Sequence, residues 1–129
     1  MLMWALEWSR RSEAAGWGVA AMSAHPGYAR TALQSTGPNL GKPMPAVARG
    51  VIRLTEPLLS QSGAEGALPV LRAAVDPTAT PGSYWGPTGF MELKGPPGPA
   101  KVAPNALDSS VAARLWAEAE RLTGTAHPS

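Results

Sequence analysis

Between Trp17 and Ala24 runs a stretch of small apolar residues, Val19-Ala20-Ala21-Met22-Ser23-Ala24, which His25-Pro26-Gly27 ends abruptly. Polar alternation would mark a strand with one wet face. Its absence marks a strand covered on both faces, as in a parallel sheet between helical layers. This segment constrains the fold more than any other, because it demands hydrogen-bonded neighbours and two covering layers. Those must be found within 129 residues or supplied from outside them.

The flanking segments offer several helices. Residues 1–15 are rich in good helix formers, apolar nearly all round from Met1 to Trp8 except at Glu7, and polar from Ser9 to Glu13. A helix apolar on all sides belongs buried, and Gly16 is placed to stop it. After the His25-Pro26-Gly27 break, residues 27–45 read as an irregular loop with a short helical piece near Thr31 to Ser35. Val47, Val51, Leu54 and Leu58 then recur at helical spacing over Ala46 to Glu56, with Pro57 expected to kink or end the helix. Ser62-Gly63-Ala64-Glu65 is a capping-box pattern. It opens a helix to about Val75 with Leu68, Leu71 and Val75 on one face and Pro69 inside.

From Pro77 to Pro99, 11 of 23 residues are Gly or Pro, and only Ser83-Tyr84-Trp85 looks like a strand. Asp108 can cap a last helix whose stripe is Val111, Leu115, Ala119 and Leu122 with Trp116 alongside. Gly124 ends it, and residues 125–129 are expected to be a disordered tail. Two strands with crossover helices suggest a parallel α/β fold. Two strands alone do not make a covered sheet. The sequence therefore reads as the end of a larger fold.

Composition removes several function classes. Without cysteine there is no disulfide scaffold, thiolate nucleophile or Cys-ligated metal. The two histidines, His25 and His127, are too far apart in sequence to suggest a His-rich metal site. The net charge is only +2 and the cations are scattered, which argues against nucleic-acid binding. No stretch reaches the roughly 20 apolar residues of a membrane span, and the apolar start lacks a cationic signal region. The expectation is a soluble cytoplasmic protein. No serine, histidine and carboxylate fall into a recognisable triad or dyad.

A set of ordered segments resembles the C-terminal part of a short-chain dehydrogenase/reductase of the retinol-dehydrogenase-like kind. The set runs from Leu6-Glu7-Trp8-Ser9-Arg10-Arg11 in the first helix to His25-Pro26-Gly27-Tyr28-Ala29-Arg30-Thr31 after the strand. It continues with Glu65-Gly66-Ala67 at a helix start, Gly82-Ser83-Tyr84-Trp85-Gly86-Pro87, and Arg114-Leu115-Trp116. The resemblance covers residues 1–124. It implies the C-terminal fragment of a doubly wound Rossmann-type parallel sheet, with Trp17–Ala24 as the sixth strand and Ser83–Gly86 as the seventh. It implies NAD(P)-dependent interconversion of carbonyls and alcohols. It also implies that Pro26, Gly27, Tyr28 and Thr31 contact the nicotinamide of NAD or NADP.

The family's Tyr-x-x-x-Lys is missing, since Tyr28 is followed four residues on by Ala32 and Tyr84 by Thr88. Gly16-Trp17-Gly18 precedes a strand and so fails the context of a dinucleotide turn. Catalysis by this chain alone is therefore not expected. An N-terminal half or a dehydrogenase-like subunit would complete the site for a small carbonyl or alcohol substrate, and a homo-oligomer through the first helix is open. The alternative is a non-enzymatic interaction module docking a dehydrogenase-like partner, or a gene remnant without function.

Among the remaining candidates, His25 reads as a structural histidine beside a turn, and Arg30 as either a phosphate contact or a solvated loop cation. Thr31 fits a helix cap as well as a cofactor contact. The loop 32–60, with Leu40, Met44 and Val47, matches the family's substrate lid by position. Tyr84 and Trp85 read as packing residues.

Overall fold

The computed structural model describes residues 1–29 and 59–126, together with Pro45, Gly50 and Leu54. The described residues form a mixed α/β structure with three helices and an open three-stranded sheet. Helix α1 (Leu2–Ala15) leads to strand β1 (Ser23–Ala24), then come helix α2 (Gly63–Val75), strands β2 (Tyr84–Pro87) and β3 (Pro97–Pro99), and helix α3 (Ser109–Thr123). Short 3-10 turns lie at Phe90–Glu92 and Pro104–Leu107. The sheet order is β1-β2-β3. The β1–β2 pair is parallel, with Ser23 beside Tyr84 and Ala24 beside Trp85, as the α/β reading expects. Apart from Gly50 and Leu54, which are helical, the expected helix over Ala46 to Glu56 lies outside the described residues, as do the helical piece near Thr31 and the end of the tail.

The strand expected over Trp17 to Ala24 is shorter than its apolar run. Gly18 has φ 69°, which takes the chain out of extended backbone. The Val19 N–H then donates to Ser12 Oγ at 3.0 Å rather than to a neighbouring strand. Ser23 and Ala24 are only half-buried, so the described residues do not complete the double cover that their composition predicts. Strand β3 has no counterpart in the sequence reading. Two of its three residues are prolines, which lack the N–H a central strand needs. They are accommodated because β3 is an edge strand.

Helix α2 begins with the expected capping box. Ser62 Oγ accepts from Glu65 N–H at 3.2 Å, and the Glu65 carboxylate accepts from Ser62 N–H at 2.7 Å. The helix runs through Pro69 without interruption and packs on all three strands. The expected apolar face does not do the packing. Gly66, Pro69 and Ala73 are buried, while Leu68, Leu71 and Val75 are 42%, 55% and 76% exposed. The cause is proximity. A Cβ on Gly66 would sit 2.6 Å from Ala29 Cβ and 3.4 Å from Pro26 Cβ, so the inner face has room only for small residues and the larger ones turn outward.

Helices α1 and α3 form a second cluster around Trp116, which is 1% exposed. Trp4 stacks on it with ring centroids 4.6 Å apart, Trp8 lies 5.5 Å away and Trp17 6.4 Å away. The Arg11 guanidinium stands 4.6 Å from the Trp116 ring centroid. Burying an indole of this size contributes roughly 4–6 kcal/mol of gross transfer free energy. The stripe on α3 again differs from expectation: Ala112 and Trp116 are buried, and Leu115 and Leu122 are exposed. One wide indole fills the space, so its neighbours at other helical angles remain outside.

Residues 2–6 of α1 are only half-buried, whereas Glu7, Ser9 and Ser12 are buried. Polar groups can occupy these positions because each has a partner. Ser9 Oγ–H donates to Ala21 O at 2.7 Å, which ties α1 to the chain entering β1. The Glu7 carboxylate accepts from Arg10 at 2.6 and 2.9 Å and from Arg11 at 2.6 Å. These bonds, Arg10's first, hold its carboxyl below the usual carboxylate range against the opposing effect of burial.

Two outcomes follow from this packing. Trp116→Ala is expected to cost about 3–5 kcal/mol, read as a lower midpoint in urea unfolding. Asp76 accepts from the Thr78 hydroxyl at 2.6 Å, from Arg72 Nε at 2.7 Å and from Thr78 N–H at 2.9 Å. Its carboxyl is lowered to about 2, by the Thr78 hydroxyl first and then by Arg72. A folded-state value below the unfolded value of about 3.9 stabilises the fold above that value. The contribution is lost as pH falls through about 2. Asp76→Asn should therefore lower Tm at neutral pH, and the gap to wild type should close on acidification.

Candidate functional site

In open α/β sheets, ligands gather outside the carboxyl ends of parallel strands. The turn His25-Pro26-Gly27-Tyr28 occupies that place after β1. The His25 N–H donates to Trp85 O at 2.9 Å and extends the ladder by one step. Gly27 then turns the chain with φ 60°. A Cβ at Gly27 would overlap the Leu93 carbonyl oxygen and meet Pro87 Cγ at 2.7 Å and Glu92 O at 2.9 Å. Only glycine fits both the dihedral angle and the space.

Gln61 braces this turn. It is 5% exposed. Its N–H donates to Tyr28 O at 3.0 Å, and its Nε2–H to Pro26 O at 2.7 Å. Its Oε1 accepts from Gly95 N–H at 3.1 Å. One side chain thus ties the end of β1 to the β2–β3 connection. The Tyr28 N–H completes the link by donating to Leu93 O at 2.6 Å.

The β2–β3 connection is itself strained. Met91 and Glu92 have φ 51° and 56°, in a region that costs non-glycine residues of order 1–3 kcal/mol each. Gly89 N–H to Lys94 O and Thr88 N–H to Pro96 O, both 3.0 Å, close the loop that holds them. Glu92 Oε1 accepts from Lys101 N–H at 2.8 Å. Its Oε2 lies 3.4 Å from His25 Nε2. The Tyr84 ring stands 5.2 Å from the imidazole. Burial, and secondly the Glu92 charge, push the Tyr84 hydroxyl above its usual range.

Of the residues predicted to contact a cofactor, Pro26, Gly27 and Tyr28 come together in this turn. Thr31 lies outside the described residues, as do Arg30, Leu40, Met44 and Val47. His25 takes the structural position expected of it. Trp85 is buried, donates from Nε1 to Ser83 Oγ at 3.0 Å and carries Arg72 5.4 Å from its ring centroid, in keeping with a packing role. Sequence reasoning missed Gln61 and Glu92. Gln61 directly precedes the Ser62 cap, so a polar residue there could have been read as part of the helix entry. Glu92 sits among glycines and prolines, and nothing in its neighbourhood signals a role.

A cleft of about 580 Å³ opens at the other end of β1, between the end of α1 and the entries to β1 and β2. Ser12, Glu13, Gly18, Val19 and Pro81 line it. It offers one carboxylate and no paired acid, base or nucleophile, so its chemistry is poorer than that of the turn. Among the described residues no three His, Asp or Glu converge as metal ligands. No described helix is long and apolar enough to cross a membrane.

No family model matches the chain, and no curated protein matches it. A solved structure does. The chain is similar to an uncharacterized protein from Mycobacterium paratuberculosis, known from its crystal structure, with 30% identity over 99% of this chain and a TM-score of 0.65. This chain spans 37% of the length of that protein. The likeness bears on the fold and carries no activity with it.

The brace makes a direct prediction. Gln61→Leu leaves Pro26 O and Gly95 N–H without their partner, at about 1–3 kcal/mol for each buried group. Lower stability and faster amide exchange at Gly95 are expected, with little change at the α1–α3 cluster.

Proposed function

We propose that this chain supplies the C-terminal part of an NAD(P)-dependent short-chain oxidoreductase that interconverts a carbonyl and an alcohol. The observation that carries the reading is the Pro26-Gly27 turn. It lies at the carboxyl end of the parallel β1–β2 pair, at a point where no Cβ fits. Its fold context agrees with a doubly wound sheet of which β1 and β2 are neighbouring strands, joined by a connection that includes α2. Rossmann topology, cofactor and reaction all belong to this proposal and come from the family resemblance.

A nicotinamide at the turn would have to meet groups that the chain's own hydrogen bonds leave to it. Pro26 O and both backbone groups of Tyr28 are engaged within the chain, and the Gly27 N–H donates to His25 Nδ1. Among the described residues the Gly27 carbonyl takes part in none of these bonds, and it is the acceptor we assign to a carboxamide N–H. Thr31 retains its proposed hydroxyl contact. Tyr28 acts through its backbone as a tie between turns rather than as a direct contact. When bound, the nicotinamide supplies or accepts the hydride. The acid that protonates the carbonyl oxygen and the turn that holds the pyrophosphate come from an N-terminal half or a dehydrogenase-like subunit.

The reading is tested on the natural product, captured with an antibody to Ala64–Val75. A mass above 13.4 kDa, an upstream Tyr-x-x-x-Lys and consumption of NADH or NADPH with a carbonyl panel are expected. Gly27→Ala in that product should weaken cofactor binding by roughly tenfold or more, equivalent to about 1.4 kcal/mol. A product of 13.4 kDa that binds neither NADH nor NADPH would overturn the proposal. It would favour the interaction module, for which the exposed Leu68, Leu71 and Val75 stripe on α2 speaks.

A further inference from the structure

We infer that His25 and Glu92 are a positioning pair that fixes the Pro26–Tyr28 turn, with Gly86 providing the seat for the imidazole. This deepens the proposed function. It rests on that reading only for what the turn contacts, and the pair itself follows from the geometry of this chain.

The ring's protonation pattern is set first. Gly27 N–H donates to Nδ1 at 3.2 Å, so the Nδ1 lone pair is used and the neutral ring carries its proton on Nε2. Nε2 is buried, and no described group accepts from it in hydrogen-bond geometry. The charged group facing it is the Glu92 carboxylate, with Oε2 at 3.4 Å. The N–H dipole therefore meets a negative charge, which favours the same tautomer that Gly27 selects. Neither nitrogen keeps a lone pair for a ligand, which removes His25 as a general base.

The seat is equally specific. The imidazole lies over Gly86 of β2, where a Cβ would overlap Nε2, Cδ2 and Cε1. Tyr84 lies beside the ring. Glu92 is held from the far side by Lys101 N–H on Oε1. Its left-handed backbone follows that of Met91, so the strained segment is the one that carries the carboxylate facing the ring. Gly27 lies against the carbonyls of Glu92 and Leu93. The imidazole, its carboxylate and the glycine that turns the chain thus form one contiguous contact. Loss of the carboxylate should free the ring to rotate, release Gly27 N–H and change the aim of the Gly27 carbonyl.

The pair can be read in the full 129-residue chain by nitrogen-15 correlation spectra of the imidazoles, assigned against a His127→Gln variant. Wild type should show His25 with Nδ1 unprotonated and Nε2 protonated. Glu92→Ala should give a tautomer mixture and shift the Gly27 amide, while Glu92→Gln, whose amide oxygen can still accept, should restore the wild-type pattern. Gly86→Ala is an independent variant that should displace the ring with Glu92 intact. A mixed tautomer in wild type, or an unchanged His25 pattern in both Glu92→Ala and Gly86→Ala, overturns the inference.

In the natural product, Glu92→Ala should raise KM for NADH or NADPH several-fold with a smaller change in kcat, and Glu92→Gln should rescue it. Altered tautomers with an unchanged cofactor KM would leave the pair standing and overturn its role toward the cofactor. A natural product that uses neither cofactor, with the tautomer results as expected, would sink the proposed function and leave the pair in place.

Discussion

The closeness of backbone to backbone at the end of β1 governs most of this structure. Gly27 lies against the carbonyls of Glu92 and Leu93, and Gly66 of α2 lies against Ala29 and Pro26. The turn is therefore held between a helix and a loop with room only for small side chains, the Ala29 methyl and the Pro26 and Pro87 rings. Hydrogen bonds at that distance can be made by backbone groups and by one short amide, Gln61, which reaches Pro26 and Gly95. A larger residue at Gly27 or Gly66 would separate these parts, and the Gln61 and Tyr28 bonds would go with them. The same closeness accounts for the outward stripe on α2, because a helix brought so near buries its smallest residues.

The α1–α3 cluster is built on the opposite principle. There a wide indole, Trp116, fills the gap between helices, with Trp4, Trp8 and Trp17 packed around it. The polar side of α1 enters the protein only where each group is met by a partner, as Ser9 is by Ala21 O and Glu7 by two guanidinium groups. The packing leaves apolar residues of α2 and α3 in contact with solvent. Strand β1 is bonded to β2 on one side, and Ser23 and Ala24 stay half-buried. The chain spans 37% of the length of the solved protein that it resembles.

For function, the main gain is a distinction among the residues of the turn. The family resemblance assigns the whole Pro26–Thr31 segment to cofactor contact. Among the described residues, the hydrogen bonds show which groups of that segment hold the turn. Pro26 O, the Gly27 N–H and both Tyr28 backbone groups hold it, and the Gly27 carbonyl is the group we propose for the cofactor. The adjacent His25 and, from distant parts of the chain, Gln61 and Glu92 brace the turn. Their arrangement follows the general requirement that a contacting group be locked by its neighbours if it is to bind with defined geometry.

Local chemistry was legible in the sequence. Ser62 and Glu65 cap α2, Asp108 caps α3, and Gly16 and Gly124 end their helices with left-handed φ. Each of these depends on bonds among residues a few positions apart, so the sequence alone suffices to determine them. The Pro-Gly break after β1 and the strand at Tyr84–Trp85 were legible for the same reason. What only the tertiary structure decided is which face of each helix turns inward, how far β1 extends, that the Pro97-Gly98-Pro99 segment can serve as an edge strand, and that Gln61 and Glu92 meet the turn. Helical periodicity names the faces without measuring the space beside them. That space is set by the approach of backbones more than thirty residues apart in the chain, as between Tyr28 and Gln61.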